Sequence, residues 1–533
     1  MRGLETTGEG AAAMPTVREA TIRLLRELGM TTLFGNPGST ELPLFRDFPD
    51  DFRYVLGLQE SVVVGMADGF ALATARPALV NLHSSAGTGH ALGNLFTAFK
   101  NQAPLVVTAG QQARSILPFE PFLHARRPTE FPQPFVKWTC EPARAQDVPL
   151  AIARACYEAM TPPCGPVLVS VPVDDWDAEC DWVSARQVAT LNPGDPAAVA
   201  RLARALGQAE RPALVLGAGI ARDGAWDAVV ALAEQQQAAV YAAPYASRAV
   251  FPESHPLFRG FVPAFRDRLT AMLAGHDLIV AMGGPLNLYH AEGEGPHLPA
   301  GAELWSVGDD PATLAWAPAG AGLLGNCRAV AEALVAQGSQ SGRPAPQPRP
   351  APPVLDPALF DTRQVMQCLA RTLPANALVV EEAPTTRGPM QDNLRLNRQD
   401  GFFTTASGGL GYAMPAAVGV ALARPQDRVV AIIGDGSAMY AIQALFTAGQ
   451  LGAAITFVIV NNGRYQALRD FGQTFGMQQV VGTDLGGLDF CALAAGHGLA
   501  GGVRVEDAAA LEAALLASYA APGPALIEAV VSG

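Results

Sequence analysis

Short apolar segments alternate with longer, helix-patterned segments along the whole of this 533-residue chain. Typical apolar segments are RYVLGL at 53–58, ALVNLH at 78–83, RVVAIIGDG at 428–436 and AITFVIVNN at 454–462. Apolar strands that are separated by helices are typical of parallel sheets covered on both faces. The pattern therefore predicts an α/β fold built from doubly wound parallel sheets.

Two changes in composition divide this pattern. The first is the polar stretch DDWDAECDW at 174–182, which leads into LNPGDP at 191–196, and the second is the proline-rich stretch at 338–357. A chain of this length is expected to form about three domains. We predict domains at 14–180, 195–335 and 358–533, a linker at 336–357 and a flexible extension at 1–13, with Met14 as a possible true start.

Charge and cysteine content exclude several classes of function. The net charge is -13, hydrophobic residues make up 49% of the chain and charged residues 16%. This balance indicates a folded protein that binds neither nucleic acid nor an anionic membrane. The seven cysteines are scattered without a CxxC pair, and no signal peptide or membrane span is evident. We therefore expect reduced cysteines and a cytoplasmic protein.

The most specific motif is Gly434-Asp435-Gly436-Ser437, which ends one apolar strand, precedes a helical segment at 437–452 and is followed by a second strand ending at Asn461-Asn462. A right-handed βαβ crossover can place the two strands side by side, so Asp435 and Asn462 should emerge at neighbouring carboxyl ends. Oxygen ligands suit Mg²⁺, and glycines at a helix start allow a diphosphate to approach. Either piece alone could be a simple turn or loop; together they predict a magnesium–diphosphate site.

With these motifs in view, the chain from about residue 14 resembles the benzoylformate decarboxylase family, within the thiamine-diphosphate-dependent pyruvate oxidase and decarboxylase group. The resemblance is carried by strings that include NPGSTELP at 36–43, NLHSSAGTG at 81–89, GGLGYAMPAAVGV at 408–420 and GDGSAMY at 434–440. It implies a pyrimidine-binding domain, a middle domain and a diphosphate-binding domain. It also implies thiamine diphosphate and Mg²⁺ as cofactors and a homo-oligomer, at least a dimer and usually a tetramer, with active sites between chains.

The resemblance assigns most of the cofactor-binding residues. Glu60 is expected to hydrogen-bond the pyrimidine ring and promote loss of the thiazolium proton, although its position also suits a helix N-terminus. Leu410 is expected to keep the cofactor bent, although GGLG could be only a strand-to-helix loop. The remaining expected contacts to cofactor and metal are Gly409, Gly436, Ser437, Tyr440 and the backbone carbonyl of Arg464.

Three further residues are candidates for catalysis. His83 ends one apolar strand and is expected to begin a glycine-rich loop, SSAGTG, while His290 follows another strand. Ligands gather at such strand ends in doubly wound folds, and imidazole exchanges protons near neutral pH. A lone histidine is more often a packing or surface residue, and it is the resemblance that places both at the reaction site. Ser39 is expected to bind the substrate carboxylate, and it could also cap a helix.

The expected substrate pocket departs from the family pattern. Thr404 and Thr405 stand where the family has an aromatic residue followed by cysteine, so one wall for a phenyl ring is altered. Leu468 and Phe471 keep another segment of the pocket apolar. The leading prediction is thus a carboxy-lyase that decarboxylates benzoylformate, or a related aryl or apolar 2-oxo acid, to an aldehyde and CO₂.

Alternative functions remain open at this point. The first is a carboligase resembling acetolactate synthase, which would join the substrate to a second carbonyl compound, and the two histidines argue against it. A flavin-containing relative would need a nucleotide site in the middle domain, where only Gly217-Ala218-Gly219 is suggestive. A catalytically silent subunit would be expected to lack the predicted catalytic residues.

Overall fold

The computed structural model describes residues 14–356 and 359–532. The described residues form three six-stranded sheets, and within each sheet every pair of neighbouring strands runs parallel. Helices flank the sheets, so the predicted α/β fold with three doubly wound parallel sheets is confirmed. The extension predicted at 1–13 lies outside the described residues.

The first sheet belongs to the N-terminal domain and has the strand order β2-β1-β3-β4-β6-β5. Helix α1 begins with a capping box, in which the Thr16 hydroxyl and the Glu19 carboxylate each accept a backbone N–H. The strands are β1 Thr32–Gly35, β2 Arg53–Leu56, β3 Ala78–Leu82, β4 Leu105–Gln111, β5 Thr139–Cys140 and β6 Val167–Pro172. The helices are α1 Val17–Glu27, α2 Glu60–Thr74, α3 Ser84–Asn101 and α4 Val148–Met160.

The second sheet forms the middle domain and has the strand order β12-β11-β10-β7-β8-β9. Its strands are β7 Pro212–Leu216, β8 Ala239–Ala242, β9 Phe258–Phe261, β10 Leu278–Met282, β11 Glu303–Gly308 and β12 Ala321–Leu324. Its helices are α5 Pro196–Gln208, α6 Gly219–Arg222, α7 Trp226–Gln236, α8 Arg266–Met272, α9 Pro311–Ala315 and α10 Cys327–Gln337. Strands β7 and β10 are neighbours although they are not consecutive, so the chain changes direction across the sheet between them.

The third sheet has the strand order β14-β13-β15-β16-β18-β17, which repeats the connectivity of the first sheet. Its strands are β13 Ala377–Glu382, β14 Phe402–Thr404, β15 Arg428–Gly434, β16 Ile455–Asn461, β17 Gly502–Val505 and β18 Ala525–Val530. Its helices are α11 Thr362–Thr372, α12 Arg387–Asn393, α13 Ala413–Ala423, α14 Asp435–Met439, α15 Ala444–Leu451, α16 Gln466–Thr474, α17 Phe490–Gly496 and α18 Ala508–Ala520.

Two expectations about helices need correction. The segment 437–452 is not one helix, because α14 ends at Met439 and α15 begins only at Ala444. The stretch SSAGTG after His83 is not a loop but the first part of α3. A Cβ at Gly87 would come 3.4 Å from Cγ of Glu60, an ordinary contact distance, so α3 passes beside the start of α2 at this point.

The proline-rich segment after α10 contains no helix or strand over 338–356, yet it packs against the domains on either side. The Arg343 guanidinium donates hydrogen bonds to backbone carbonyls of the middle domain, including that of Ala209 at 2.6 Å. Arg349 lies over the rings of Phe258 and Phe261 and also donates to the Gln391 carbonyl. The segment is thus laid along the protein rather than acting as a free tether.

One buried arginine joins the three domains. Arg248, in the loop after β8, donates to the Leu72 carbonyl of the N-terminal domain at 3.2 Å and to Asp400 of the C-terminal domain at 2.7 Å. Its guanidinium carbon also lies 4.4 Å from the centroid of the Phe403 ring. These contacts hold the loop that contains residues 244–248 in a defined position, which matters for the site described below.

The cysteines and the helices agree with two other expectations. All seven cysteines are free thiols, and four of them are buried. Within residues 14–356 and 359–532, no helix is both long enough and apolar enough to cross a bilayer.

A buried carboxyl near this junction makes stability depend on pH. Burial raises the pKa of Asp68 from 3.8 to about 7, against the hydrogen bonds that the Asn101 amide donates to its carboxylate at 3.1 and 3.3 Å. The folded chain binds this proton more tightly than the unfolded chain. Protonation of Asp68 therefore stabilises the folded state fully below about pH 4, and this stabilisation is lost as the pH rises to about 7. Between pH 6 and pH 8 the unaltered protein should lose this stabilisation, whereas the Asp68→Asn variant has no carboxyl to titrate at this position. The free energy of unfolding of Asp68→Asn, relative to that of the unaltered protein, should therefore rise by about 1 kcal/mol from pH 6 to pH 8.

Urea unfolding at the two pH values measures this difference. The matched control is Asp47→Asn, since the Asp47 side chain is 85% exposed and its replacement should give the same difference at both pH values. A gain for Asp68→Asn that does not change with pH would show that Asp68 does not titrate in this range.

Candidate active site

Two oxygens from neighbouring strands converge at the carboxyl edge of the third sheet. Strands β15 and β16 are paired, and Asp435 and Asn462 follow their last residues. One backbone N–H, that of Arg464, donates to Oδ2 of Asp435 at 3.2 Å and to Oδ1 of Asn462 at 3.1 Å. The two side chains therefore point toward each other, as the sequence predicted from strand adjacency.

The chemistry of this oxygen pair fits a hard divalent cation. Asp435 is buried, and burial raises the pKa of its carboxyl, while backbone N–H groups from Gly436 and from residues 462–464 oppose the rise. A buried carboxylate is stabilised by a nearby cation, and Mg²⁺ prefers carboxylate and amide oxygens. Asp435 and Asn462, with the carbonyl of Arg464, are thus a donor set that suits Mg²⁺.

The residues that follow Asp435 leave little room for side chains. A Cβ at Gly436 would overlap the ring of Tyr465, so glycine is required for the backbone to pass. Ser437 is buried beside it, and Tyr440, at the break between α14 and α15, is 57% exposed. The Gly436 N–H donates to Oδ1 of Asp435 at 2.8 Å, so the turn is packed closely against Asp435. A glycine-containing turn at a helix start is the kind of backbone that suits a diphosphate.

The GGLG segment is held by a buried glutamate that sequence reasoning missed. The carboxylate of Glu382, at the end of β13, accepts the backbone N–H groups of Gly411, Tyr412 and Ala413 at 2.7, 2.6 and 2.7 Å. Burial raises the pKa of Glu382 to about 7, and the three N–H donors oppose that rise. The carboxylate thereby caps α13 and fixes the segment that presents Gly409 and Leu410. Asp435 was predicted because it lies at the carboxyl end of an apolar strand, and Glu382 lies at the same kind of position.

Glu60 opens α2 and is buried beside two side chains. Nδ2 of Asn36 lies 3.2 Å from its Oε1, and Nδ1 of His90 lies 3.1 Å from its Oε2. Asn94 donates to the carbonyls of both Ser61 and Gly411, at 2.7 and 3.1 Å, so the start of α2 lies next to the GGLG segment. His90 was not selected from the sequence, because its contact with Glu60 depends on how α3 packs across α2.

His83 contacts the loop that carries Ser39. Its Nδ1 lies 2.9 Å from Oε2 of Glu41 and 3.2 Å from the Thr40 hydroxyl. A Cβ at Gly38 would overlap the imidazole, so the loop can approach only with glycine there. Ser39 itself is exposed in a turn, and it is not a helix cap, because the short 3₁₀ helix Leu42–Phe45 has Glu41 at that position. Its hydroxyl has no hydrogen-bond partner among the described residues.

His290 and Phe471 come together across two domains. The centroids of their rings are 4.7 Å apart, with an edge-to-face geometry. Leu468, one turn earlier on α16, is 53% exposed. The predicted proton-transfer residue of the middle domain thus lies against a predicted pocket residue of the C-terminal domain.

The side chain of Thr404 is fully buried in β14. Its hydroxyl donates to the Glu381 carbonyl at 2.8 Å and also contacts the Glu381 carboxylate and the Arg387 guanidinium. The Thr404 hydroxyl is therefore hydrogen-bonded within the protein and does not face solvent. Arg387, paired with Glu381, is partly exposed and is the group from this set that reaches toward solvent.

The suggestive glycines of the middle domain are used for packing. The Gly217 N–H donates to the Met282 carbonyl and the Gly219 N–H to the Gly283 carbonyl, both at 2.8 Å. A Cβ at Gly217 would lie 2.6 Å from the Gly283 oxygen. The amides that could bind a dinucleotide pyrophosphate are already satisfied, which supports the structural interpretation of Gly217-Ala218-Gly219.

All three domains match models of one family, the thiamine pyrophosphate enzymes. The N-terminal TPP binding domain matches residues 15–130, the central domain 199–334 and the C-terminal TPP binding domain 386–529. With the three-sheet architecture and the oxygen pair described above, the chain belongs to the thiamine pyrophosphate enzymes.

Within that family the chain is similar to decarboxylases of aryl 2-oxo acids. The benzoylformate decarboxylase of Pseudomonas aeruginosa is 44% identical over 521 residues, which are 97% of this chain and 98% of that protein. The solved structure of the Rhodococcus jostii RHA1 thiamine diphosphate-dependent 4-hydroxybenzoylformate decarboxylase has a TM-score of 0.94 at 41% identity and covers 97% of this chain and 99% of that chain. An acetolactate synthase from Arthrospira platensis is 26% identical over 535 residues, 90% of this chain and 88% of that protein. The family resemblance predicted from the sequence is therefore confirmed.

Proposed function

We propose that this enzyme is a carboxy-lyase that converts benzoylformate, or a closely related aryl 2-oxo acid, to the aldehyde and CO₂ with thiamine diphosphate and Mg²⁺. The observation that carries the proposal is the contact of His290 with Phe471, at 4.7 Å between ring centroids. It puts a group that can deliver a proton beside an aromatic wall that can bind an aryl side chain.

Each predicted residue has a task that its surroundings allow. Asp435 and Asn462, with the Arg464 carbonyl, would hold Mg²⁺, and the turn at Gly436 and Ser437 would bind the diphosphate beside Tyr440. Glu60 would bind the pyrimidine, with Gly409 and Leu410 against the other side of the cofactor. When bound, thiamine diphosphate supplies a carbon nucleophile and takes up the electrons released with CO₂.

The remaining residues act on the substrate. Ser39, whose hydroxyl is exposed in a glycine-containing turn, would bind the substrate carboxylate. His83 lies against the same turn and would exchange protons there, while His290 would deliver or accept a proton beside the aryl group. Leu468 and Phe471 would provide an apolar wall, and Thr404 would set the depth of the pocket through its contact with Arg387.

The aromatic acid could carry a polar ring substituent. Arg387 and Glu381 form an ion pair next to Thr404, so this side of the site is polar while its charges cancel. One of the similar proteins is named a 4-hydroxybenzoylformate decarboxylase. Benzoylformate and 4-hydroxybenzoylformate are therefore the two acids whose comparison is most informative.

We also propose that the enzyme is a homo-oligomer located in the cytoplasm. Several large apolar side chains are exposed on the single chain, which supports coverage by further copies. They include Phe119, Phe122, Phe475 and Val481, at 80, 87, 69 and 92% exposure. A dimer is the smallest assembly proposed and a tetramer the expected one, and the seven free thiols suit a reducing compartment.

Assays of the purified protein with thiamine diphosphate, Mg²⁺ and a panel of 2-oxo acids test the function. We expect CO₂ and aldehyde from both aryl acids, with kcat/KM at least about 10-fold above that for pyruvate, because an apolar pocket gains about 1–3 kcal/mol from a fitting side chain. Removal of Mg²⁺ with a chelator should abolish turnover, and Mg²⁺ should restore it.

Products formed by joining two carbonyl compounds, with no CO₂ from any acid, would instead support the carboligase. The intact set of predicted catalytic residues argues against a silent subunit, and complete inactivity of the loaded enzyme toward acids and aldehydes would support one.

A further inference from the structure

Tyr245 contacts one of the two ring nitrogens of His290. The Tyr245 hydroxyl lies 2.8 Å from Nδ1 of His290, and the ring centroids are 6.2 Å apart. Tyr245 follows β8 and His290 follows β10, so both lie at the carboxyl edge of the middle sheet. Sequence reasoning selected His290 but not its partner.

The backbone at Tyr245 is strained. Its φ is +55°, a left-handed conformation that is uncommon and unfavourable for a residue with a bulky side chain. The neighbouring residues enforce it, since the Thr404 N–H donates to the Ser247 carbonyl at 2.9 Å and Arg248 is anchored to Asp400. The C-terminal domain thus holds the loop in the position that brings the phenol to the imidazole.

The other sides of the imidazole are occupied by aromatic rings. The centroid of Phe471 is 4.7 Å away and that of Phe265 is 6.3 Å away. Over the described part of the chain, Nε2 of His290 has no hydrogen-bond partner. Nδ1 is therefore the anchored nitrogen, and Nε2 is the nitrogen that is free to exchange a proton.

We infer that Tyr245 is a positioning residue that anchors Nδ1 of His290 and so directs Nε2 toward the substrate. The inference rests on the proposed function for what Nε2 does there. When the cationic ring gives up its Nε2 proton, the remaining proton stays on Nδ1 and is donated to the Tyr245 oxygen. One hydrogen bond thus fixes the tautomer and the orientation of the ring in both charge states.

Neighbouring charges are consistent with a neutral phenol in this role. Burial raises the pKa of Tyr245, while the Arg387 cation opposes the rise, so the hydroxyl stays protonated at neutral pH. The other charged or titratable groups near the imidazole are Arg266, Tyr289, Glu292 and His297, which line a cavity of about 400 Å³ with His290. Phe265 and Phe471, on the remaining sides, carry no charge.

The test is Tyr245→Phe, which removes the hydroxyl and keeps the ring. We expect kcat for decarboxylation to fall about 10-fold with little change in KM, in line with loss of a partner that orients a functional imidazole. Cofactor affinity should not change.

Histidine-labelled protein read by nuclear magnetic resonance gives a second measurement that does not need turnover. The ring signals of His290, assigned with His290→Ala, should show the Nδ1–H form in the unaltered neutral protein and a mixture of tautomers in Tyr245→Phe. The matched control is Tyr241→Phe, which removes a phenol–imidazole contact of 3.1 Å to His276 at the opposite edge of the same sheet and should change none of these readouts.

Unchanged kcat, or an unchanged tautomer in Tyr245→Phe, would overturn the inference. A lower kcat accompanied by a similar rise in KM and a similar loss of cofactor affinity would also overturn the inference, since it would indicate a structural role. If no acid is decarboxylated, the proposed function fails while the tautomer measurement still decides the role of Tyr245.

Discussion

Replacement of Asp435 by alanine should abolish retention of thiamine diphosphate in the presence of Mg²⁺. The Asp435 carboxylate shares the Arg464 N–H with Asn462, so its removal leaves one side-chain oxygen at the proposed metal site. Loss of groups that merely orient metal ligands costs about 10- to 100-fold in affinity, and loss of a charged ligand should cost at least about 100-fold. Titration calorimetry with the cofactor at fixed Mg²⁺ measures the effect directly.

Two variants separate loss of the site from loss of the fold. Asp507→Ala removes another aspartate of the same domain, one that caps α18 through the Ala510 N–H at 2.8 Å, and it should leave cofactor affinity unchanged. Asp435→Asn keeps an oxygen but loses the charge, and it should bind between the alanine variant and the unaltered enzyme. Full affinity in Asp435→Ala would mean that no metal bridges this residue and the diphosphate.

The second large effect is expected for Glu60→Gln. The amide keeps the size of the carboxyl, so the cofactor should bind within a few-fold of normal, but it cannot promote loss of the thiazolium proton. General acid–base catalysis contributes about 10²- to 10⁴-fold, so hydrogen–deuterium exchange at the thiazolium carbon should slow by about 100-fold or more. Quenched-flow exchange read by nuclear magnetic resonance gives the rate before any substrate is added.

The helix-terminus explanation of Glu60 has its own control. Glu19 also lies in the first turn of a helix, α1, where a carboxylate is favoured by the helix dipole. Glu19→Gln should lower stability slightly and leave the exchange rate unchanged. If Glu60→Gln behaves in the same way, with altered stability and a normal exchange rate, then Glu60 serves the helix and not the cofactor.

Much of this site could be predicted because it follows from strand order. Asp435 and Asn462 were selected as the residues after two consecutive apolar strands, and parallel pairing of β15 with β16 brings such residues together wherever it occurs. Glu60, His83 and the GGLG segment also follow strands, but their roles in the site were implied by the family resemblance and not by strand order. The apolar strand ALVVEE at 377–382 ends in Glu382, so reasoning from strand order would have found this residue, whose carboxylate caps α13.

Other features depend on contacts between elements that are distant in the chain. His90 reaches Glu60 because α3 crosses α2, and neither helix carries a signal of that contact in its own sequence. Tyr245 reaches His290 through a loop with φ of +55°, a conformation that a tyrosine does not favour locally. The interruption between Met439 and Ala444 was likewise not visible in an apolar pattern that reads as one continuous helix.

Local order along the chain was enough to predict parallel α/β domains and the strand ends where ligands bind, because the period of apolar residues and the turn motifs are written in consecutive residues. The family was indicated by the resemblance of whole sequence strings to those of known enzymes. Only the tertiary structure decided which side chains meet: Phe471 and Tyr245 at His290, His90 at Glu60, and Arg248 between all three domains. These contacts join residues far apart in sequence, and their distances are set by the packing of helices, loops and domains against one another, which no local pattern encodes.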